Sequence, residues 1–131
     1  MNALLYAANT SSQVLTAGQN INFGLPVRRY GKNIQISGGN NITINGEGYY
    51  PIDANVTFQA GANGTAVLQV YENGVAIPGA TASIQTAANT VYSLEVPTVV
   101  RIRCCEEKVI TAAITGIGTT TTNAAIRIEK A

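Results

Sequence analysis

The chain has no histidine and no tryptophan, and only 11 % of its 131 residues are charged. Histidine is the commonest general base in enzymes, and no Gly-x-Ser-x-Gly motif or phosphate-binding loop is present. The formal net charge of +1 provides no broad basic surface for nucleic acid or anionic lipid. We therefore predict a protein that is not an enzyme, uses no cofactor, and binds no metal, nucleic acid or membrane.

Long apolar runs are also absent. No segment approaches the roughly 20 apolar residues that span a bilayer, and Met1–Ala8 lacks the positive region of a signal peptide. We expect a chain that is made in the cytoplasm. Its low charge means that solubility rests on Asn, Gln, Thr and Ser, and few charges need desolvating when such a surface is buried against another subunit.

Cysteine occurs only as the adjacent pair Cys104 and Cys105. Neighbouring side chains in a strand point to opposite faces, so we predict that Cys104 is a small core residue and Cys105 a free thiol. A disulfide scaffold is not expected.

What the chain does contain is alternation of apolar and polar residues, clearest over Tyr50–Gln59. A period of two indicates a strand with one face in a core. Similar short segments recur every 8–12 residues or so, which is typical of an all-β sandwich or barrel. The predicted strands are Leu4–Ala8, Gln13–Thr16, Asn20–Phe23, Ile34–Ser37, Ile42–Asn45, Tyr49–Gln59, Thr65–Glu72, Ala80–Gln85, Thr90–Val96, Val99–Cys105, Lys108–Thr115 and Asn123–Glu129.

Turn signals separate these strands. Gly38–Asn41 and the pairs Asn45-Gly46, Asn63-Gly64 and Asn73-Gly74 tolerate positive φ and predict tight hairpins. Thr119–Thr122 is predicted as a loop before the last strand, and Glu106–Lys108 as a charged turn. No linker interrupts the chain, so we predict one domain over residues 1–131.

Alternation also predicts which side chains are inside. The expected outward set includes Arg101, Arg103, Arg127 and Glu129, with a carboxylate such as Glu129 opposite the arginines. Asp53 is expected to pair with an arginine. The predicted core comprises Ile34, Ile36, Ile42, Ile44, Tyr50, Ile52, Val56, Phe58, Leu68, Val70, Leu94, Val96, Val100, Ile102, Ile110, Ile114, Ile126 and Ile128.

Three stretches resemble the jelly rolls of tumour necrosis factor and the complement globular heads: Ile42–Phe58, Val67–Ala80 and Ala124–Glu129. The hairpin Val67–Ala80 is similar to that of the bacterial and phage branch, which includes the C-terminal domains of exosporium glycoproteins. The resemblance implies a jelly-roll sandwich of about ten antiparallel strands that forms a homotrimer. It places near the trimer axis the residues Tyr49, Pro51, Arg101, Arg103, Arg127 and Glu129.

No collagen-like stalk precedes the domain, which favours a bacteriophage virion component over an exosporium or complement role. We expect a trimeric head decoration or head-fibre protein, located in the virion, that docks on the major capsid protein. Residues 1–30 are the expected anchor and 31–131 the core sandwich. The predicted anchor residues are Leu4, Leu5, Tyr6, Arg28 and Arg29.

The alternative is a trimeric receptor- or carbohydrate-binding module of a phage tail or bacterial surface. It would bind a host glycan or protein through loops at Gly61–Gly64, Pro78–Ala82 and Gly116–Thr122.

Overall fold

The computed structural model describes residues 3–131, which form strands and turns and include no helix. Over this range no helix is long and apolar enough to cross a membrane. The predicted all-β class is confirmed. The eleven strands are β1 (Leu4–Asn9), β2 (Gln13–Leu15), β3 (Leu25–Tyr30), β4 (Ile34–Ser37), β5 (Asn41–Asn45), β6 (Gly48–Ala60), β7 (Gly64–Glu72), β8 (Val75–Thr86), β9 (Val91–Ile102), β10 (Glu107–Thr115) and β11 (Thr119–Glu129).

These strands make two antiparallel sheets packed face to face. The six-stranded sheet has the order β3-β1-β11-β6-β9, with β2 pairing the first part of β11. The five-stranded sheet has the order β4-β5-β10-β7-β8. Apart from the hairpins β4-β5 and β7-β8, neighbouring strands in each sheet are distant in sequence, so the chain crosses repeatedly between the sheets. This is the predicted jelly-roll sandwich.

The core lies between the sheets and follows the alternation. In β6 the inward side chains of Tyr50, Ile52, Val56 and Phe58 are all at most 2 % exposed. Burying a side chain of this size stabilises a fold by about 1.5–3 kcal/mol. The predicted core is confirmed except for Ile36, which is half-buried.

Among these inward side chains of β6, the only polar group is the Tyr50 hydroxyl, and it has hydrogen-bond partners. The Tyr50 hydroxyl lies within hydrogen-bond distance of two backbone carbonyl oxygens, Asn45 O at 2.9 Å and Gly46 O at 2.8 Å. Burial raises the pKa of Tyr50. The hydroxyl therefore stays protonated and ties β6 to the preceding turn.

Only two of the four predicted hairpin turns join paired strands. Asn73-Gly74, with φ of 50° and 80°, links β7 to β8 as a two-residue turn, and residues 38–40 link β4 to β5. Asn45-Gly46 and Asn63-Gly64 instead carry the chain from one sheet to the other. The turn residues were predicted correctly, but these two were wrong as hairpins because positive φ does not specify which strand follows.

The N-terminal region is part of the sandwich. β1 lies inside the six-stranded sheet between β3 and β11, and residues 18–23 then run beside β10. Gly18 N–H donates to Ile114 O at 2.9 Å and Ile21 N–H to Ala112 O at 2.8 Å. The strand predicted at Asn20–Phe23 is only an isolated bridge, and β3 was not predicted. Of the predicted anchor segment, residues 1 and 2 lie outside the described range.

Two further predictions were wrong near the end of the chain. β9 is one strand from Val91 to Ile102, not two, and it ends before the cysteines. Cys104 was predicted in the core, yet both cysteines are exposed on the turn between β9 and β10. Glu107 and Lys108 belong to β10, so the turn lies two residues earlier than predicted.

Thr119–Thr122 is the beginning of β11 and not a loop. Thr119 and Thr121 are buried against the core, at 4 % and 0 % exposure. A β-bulge between Thr121 and Asn123 inserts one extra residue opposite β6. The inward positions therefore change from odd to even numbers, and Ala124, Ile126 and Ile128 continue the core. A search for alternating apolar residues does not detect the beginning of this strand, because its buried side chains are threonines.

We expect Thr121→Val to stabilise the protein. The Thr121 Oγ1 atom is buried and has no hydrogen-bond partner, and an unsatisfied buried hydroxyl costs about 1 kcal/mol or more. Thermal and urea unfolding at one protein concentration should show a gain of about 1 kcal/mol, with a melting temperature a few degrees higher. Thr120→Val, on the half-exposed side of the same strand, is the matched control and should change little. Destabilisation by Thr121→Val would contradict this account.

Candidate functional site: the open face of the six-stranded sheet

The outward surface of β1, β11, β6 and β9, here called the open face, is assembled by strand register. Its central row runs Tyr6, Arg127, Asp53, Pro97 from one strand to the next. The neighbouring row runs Ala8, Ala125, Asn55, Glu95. On the other side of the central row lie Leu4 opposite Glu129, Pro51 opposite Val99, and Tyr49 opposite Arg101.

An ion pair occupies the middle of the open face. Arg127 Nη2 lies 3.2 Å from Asp53 Oδ2, so the expectation that Asp53 pairs with an arginine is confirmed. The second carboxylate oxygen, Asp53 Oδ1, is shielded from solvent and has no hydrogen-bond partner. One oxygen of this carboxylate is therefore paired, and the other is buried without a partner.

Two hollows flank this ion pair. One, of about 390 Å³, is lined by Pro51, Pro97, Val99 and the pair itself. The other, of about 200 Å³, lies between Tyr6, Glu95 and the pair. The first is walled by proline and valine, whereas the second is rimmed by polar groups.

Aromatic and aliphatic side chains stand exposed around the hollows. Tyr49 and Val99 are 54 % and 55 % exposed, and Tyr6 is 37 % exposed. The Arg101 guanidinium lies 5.7 Å from the centre of the Tyr49 ring, within the range of a cation–π contact. The contact places the guanidinium of Arg101 beside the exposed ring of Tyr49.

The open face contrasts with the outer surface of the five-stranded sheet. That surface is made largely of hydroxyls and amides, such as Gln69 opposite Thr81 and Thr65 opposite Gln85. All but one of the large exposed hydrophobic side chains in the described range belong to strands of the six-stranded sheet, the exception being Val75. The others are Tyr6, Val14, Leu25, Val27, Tyr30, Tyr49, Val91 and Val99.

The residues predicted to lie near the trimer axis mostly share this surface. Tyr49, Pro51, Arg127 and Glu129 lie on the open face, as does Arg101; Arg103 lies beyond the end of β9. The residue opposite Arg101 is Tyr49 and not the expected carboxylate. Whether these side chains meet another copy stays a prediction.

The predicted anchor residues do not form a separate surface. Leu4, Tyr6 and Arg28 lie on the open face or its extension onto β3. Arg29 is exposed and lines another hollow beside Pro26. Leu5 is fully buried in the core, so its prediction as an anchor was wrong, because it occupies the inward phase of β1.

Sequence analysis missed Pro97 and Val99, although their alternation with buried Val96 and Val100 was visible. Pro97 falls in the gap between the predicted strands Thr90–Val96 and Val99–Cys105, and the outward side chain of Val99 was not included among the predicted site residues.

The three loops expected to bind a glycan are not all loops. Pro78–Ala82 lies within β8, where the register shifts opposite β7, and Thr119–Thr122 begins β11. The turns at Gly61 and Gly118 do meet, with Gly61 N–H donating to Gly118 O at 2.9 Å. Within residues 3–131, no three acidic or cysteine side chains gather closely enough to hold a metal ion.

Comparison with known proteins identifies the fold. No protein-family profile matches the chain, and no curated protein sequence matches it. Among solved structures, murine APRIL aligns with a TM-score of 0.74 at 13 % identity over 100 % of both chains. The globular domain of zebrafish complement 1qA protein gives 0.69 at 11 % identity, over 98 % of this chain and 96 % of that chain. The PRD1 vertex protein P5 gives 0.62 at 13 % identity, over 98 % and 96 %.

The chain therefore has the tumour-necrosis-factor-like jelly-roll fold, which is shared by complement globular heads and a phage vertex protein. This confirms the resemblance inferred from the sequence. At these identities the likeness concerns the fold.

A double-mutant cycle on Asp53→Asn and Arg127→Met should show weak coupling in the isolated subunit. The pair is partly solvated, with side-chain exposures of 36 % and 55 %, and exposed ion pairs contribute at most about 1 kcal/mol. We expect a coupling of about 0.5 kcal/mol by urea unfolding in dilute solution, and less in high salt. A coupling of several kcal/mol would contradict a solvated pair.

Proposed function

We propose that the chain is a homotrimeric structural protein of a bacteriophage virion, which docks on the capsid surface as a head decoration or head-fibre protein. Its action is mechanical and requires no catalysis. Copies associate through their open faces, and the trimer adds a rigid β-structure to the particle.

The asymmetry between the two outer surfaces is the observation that carries this proposal. The outer surface of the five-stranded sheet exposes mainly hydroxyls and amides. The open face exposes tyrosine, proline and valine around the Arg127–Asp53 ion pair. Interface cores are enriched in aromatic residues and depleted in charge relative to other surfaces. The open face exposes aromatic and aliphatic side chains such as Tyr49 and Val99, and its charged residues include the Arg127–Asp53 pair. It is therefore the surface we assign to self-association.

The polar groups of the open face also suit burial. Asp53 Oδ1 already lies out of solvent without a donor, so covering the face with another copy would not desolvate this oxygen further. Tyr6 and Asn55 offer hydrogen-bond donors to a neighbouring copy on the same face. Because Arg127 already pairs with Asp53, burial of these two residues would desolvate a matched pair. Glu95, Arg101 and Glu129 on the same face would instead lie at the rim of the interface or meet opposite charges on a neighbouring copy.

A virion role is supported by the fold and by the edge strand. The phage vertex protein P5 aligns over nearly the full length of both chains. β3 is an edge of the six-stranded sheet, and on it Leu25 and Val27 are 80 % and 47 % exposed. An open edge with apolar side chains can accept a strand from another protein. We assign docking on the capsid protein to this edge, within the predicted anchor segment.

Val99→Asp tests the trimer. Val99 is exposed in the subunit, so the variant should fold, but a carboxylate buried in the interface should weaken assembly about 100-fold or more. We expect trimers of the unaltered chain by mass photometry and analytical ultracentrifugation, and monomers of the variant at the same concentration. Ser83→Asp, on the exposed outer surface of the other sheet, is the matched control and should remain trimeric. A monomeric unaltered chain, or a trimeric Val99→Asp variant, would refute the proposed interface.

Peptide mass spectrometry of purified particles tests the virion location. We expect the chain in particles of the phage that encodes it, in many copies and at a fixed ratio to the major capsid protein. Its absence from particles would refute the proposal. A few copies per particle together with binding on a glycan array would instead support the alternative of a receptor-binding module on the tail.

A further inference from the structure

We propose that Cys104 and Cys105 form a vicinal dithiol site, which reacts as a unit with a small-molecule disulfide and closes into a reversible bond between adjacent residues. Both thiols are exposed on the turn from β9 to β10. Their Sγ atoms are 3.2 Å apart. The site lies outside the open face, on the turn that follows β9.

The turn geometry brings the two sulfur atoms together. Cys104 and Cys105 are the central residues of a β-turn, in which Glu106 N–H donates to Arg103 O at 3.1 Å. The Glu106 carboxylate closes the turn from the other side, accepting from Arg103 N–H at 2.9 Å. In a strand the two side chains would point to opposite faces, whereas this turn places them side by side.

Cys105 occupies a backbone position that suits another residue. Its φ is 66°, in the left-handed region where glycine or asparagine is usual at the third position of a turn. A cysteine there costs conformational energy that glycine would not. The stability of the turn therefore does not explain why residue 105 is a cysteine, whereas a role for the contact between the two thiols does.

The exchange is balanced. One thiolate attacks the small disulfide, forming a mixed disulfide and releasing one small thiolate. The neighbouring thiolate then attacks the protein sulfur of that mixed disulfide and releases the second small thiol. The protein loses two electrons, which reduce the small disulfide, and two protons, which end on the released thiols. The second step is fast because the second sulfur is already in contact.

The product should be easily reduced. Adjacent Cα atoms across a trans peptide are about 3.8 Å apart, closer than the roughly 4.4 Å at which disulfides usually begin. Strained disulfides are more oxidising than structural ones. The bond would therefore open again in a reducing cytoplasm and persist in an oxidising medium.

The reaction should be run at mildly alkaline pH. The hydrogen bond with Cys105 raises the pKa of the Cys104 thiol, with smaller contributions from partial burial and the Glu47 carboxylate. More of that thiol is ionised as the pH rises, and the thiolate is the reacting form.

Oxidised glutathione and the purified, reduced chain provide the test. After acid quenching, intact mass spectrometry should show a main product that has lost two hydrogen atoms and carries no glutathione. Dithiothreitol should reverse it. Cys104→Ser and Cys105→Ser are the controls, and each should keep one glutathione per chain. In guanidinium, where the turn is lost, closure should be about tenfold slower and the mixed disulfide should accumulate.

Three results would overturn the proposal. The first is two glutathiones on each unaltered chain. The second is disulfide-linked pairs of chains on a non-reducing gel in place of the internal bond. The third is closure at the same rate in the folded and unfolded chain, since the folded turn would then contribute nothing.

Discussion

Pairing along the whole of β11 is the constraint on which the rest of the structure depends. On one side it pairs β6, and on the other it pairs first β2 and then β1. A shift of one residue would turn every side chain of a strand to the other face. The bulge after Thr121 makes that shift once, so that the threonines before it and Ile126 and Ile128 after it all face the core. The pairing of β1 with β11 thereby joins the first strand of the domain to the last.

The sequence predicts a strand well when its buried side chains are all apolar. It fails where neighbouring strands determine whether a segment is a strand. β6 and the core facing it follow from alternation alone. The start of β11 does not, because buried threonines look like a loop until a neighbouring strand is present. β9 looked interrupted at Pro97, but it is an edge strand with a neighbour on one side only, where proline is tolerated. Cys104 was predicted in the core because the inward alternation of β9 was continued past Ile102, where the strand ends.

The candidate site was predictable as a set of residues but not as an arrangement. The alternation of side chains along each strand predicts, from the sequence alone, that Tyr49, Pro51 and Arg127 point outward. It does not reveal that Arg127 meets Asp53, since those residues are 74 positions apart and meet only because β11 lies beside β6. Strand order also shows that Tyr6 joins the same row. The predicted anchor and the predicted trimer surface thereby become largely one surface.

Low charge connects the fold to the proposed assembly. A subunit with exposed tyrosine and valine on one sheet and few charges anywhere has little to keep two such faces apart by repulsion. The same scarcity lowers the cost of bringing them together, because each ion that is buried without a partner adds a desolvation penalty. The ion pair at the centre of the open face keeps this cost low, since Arg127 and Asp53 neutralise each other within one chain. Glu95, Arg101 and Glu129 lie on the same face without a salt-bridge partner among the described residues, so their positions restrict how a neighbouring copy can approach.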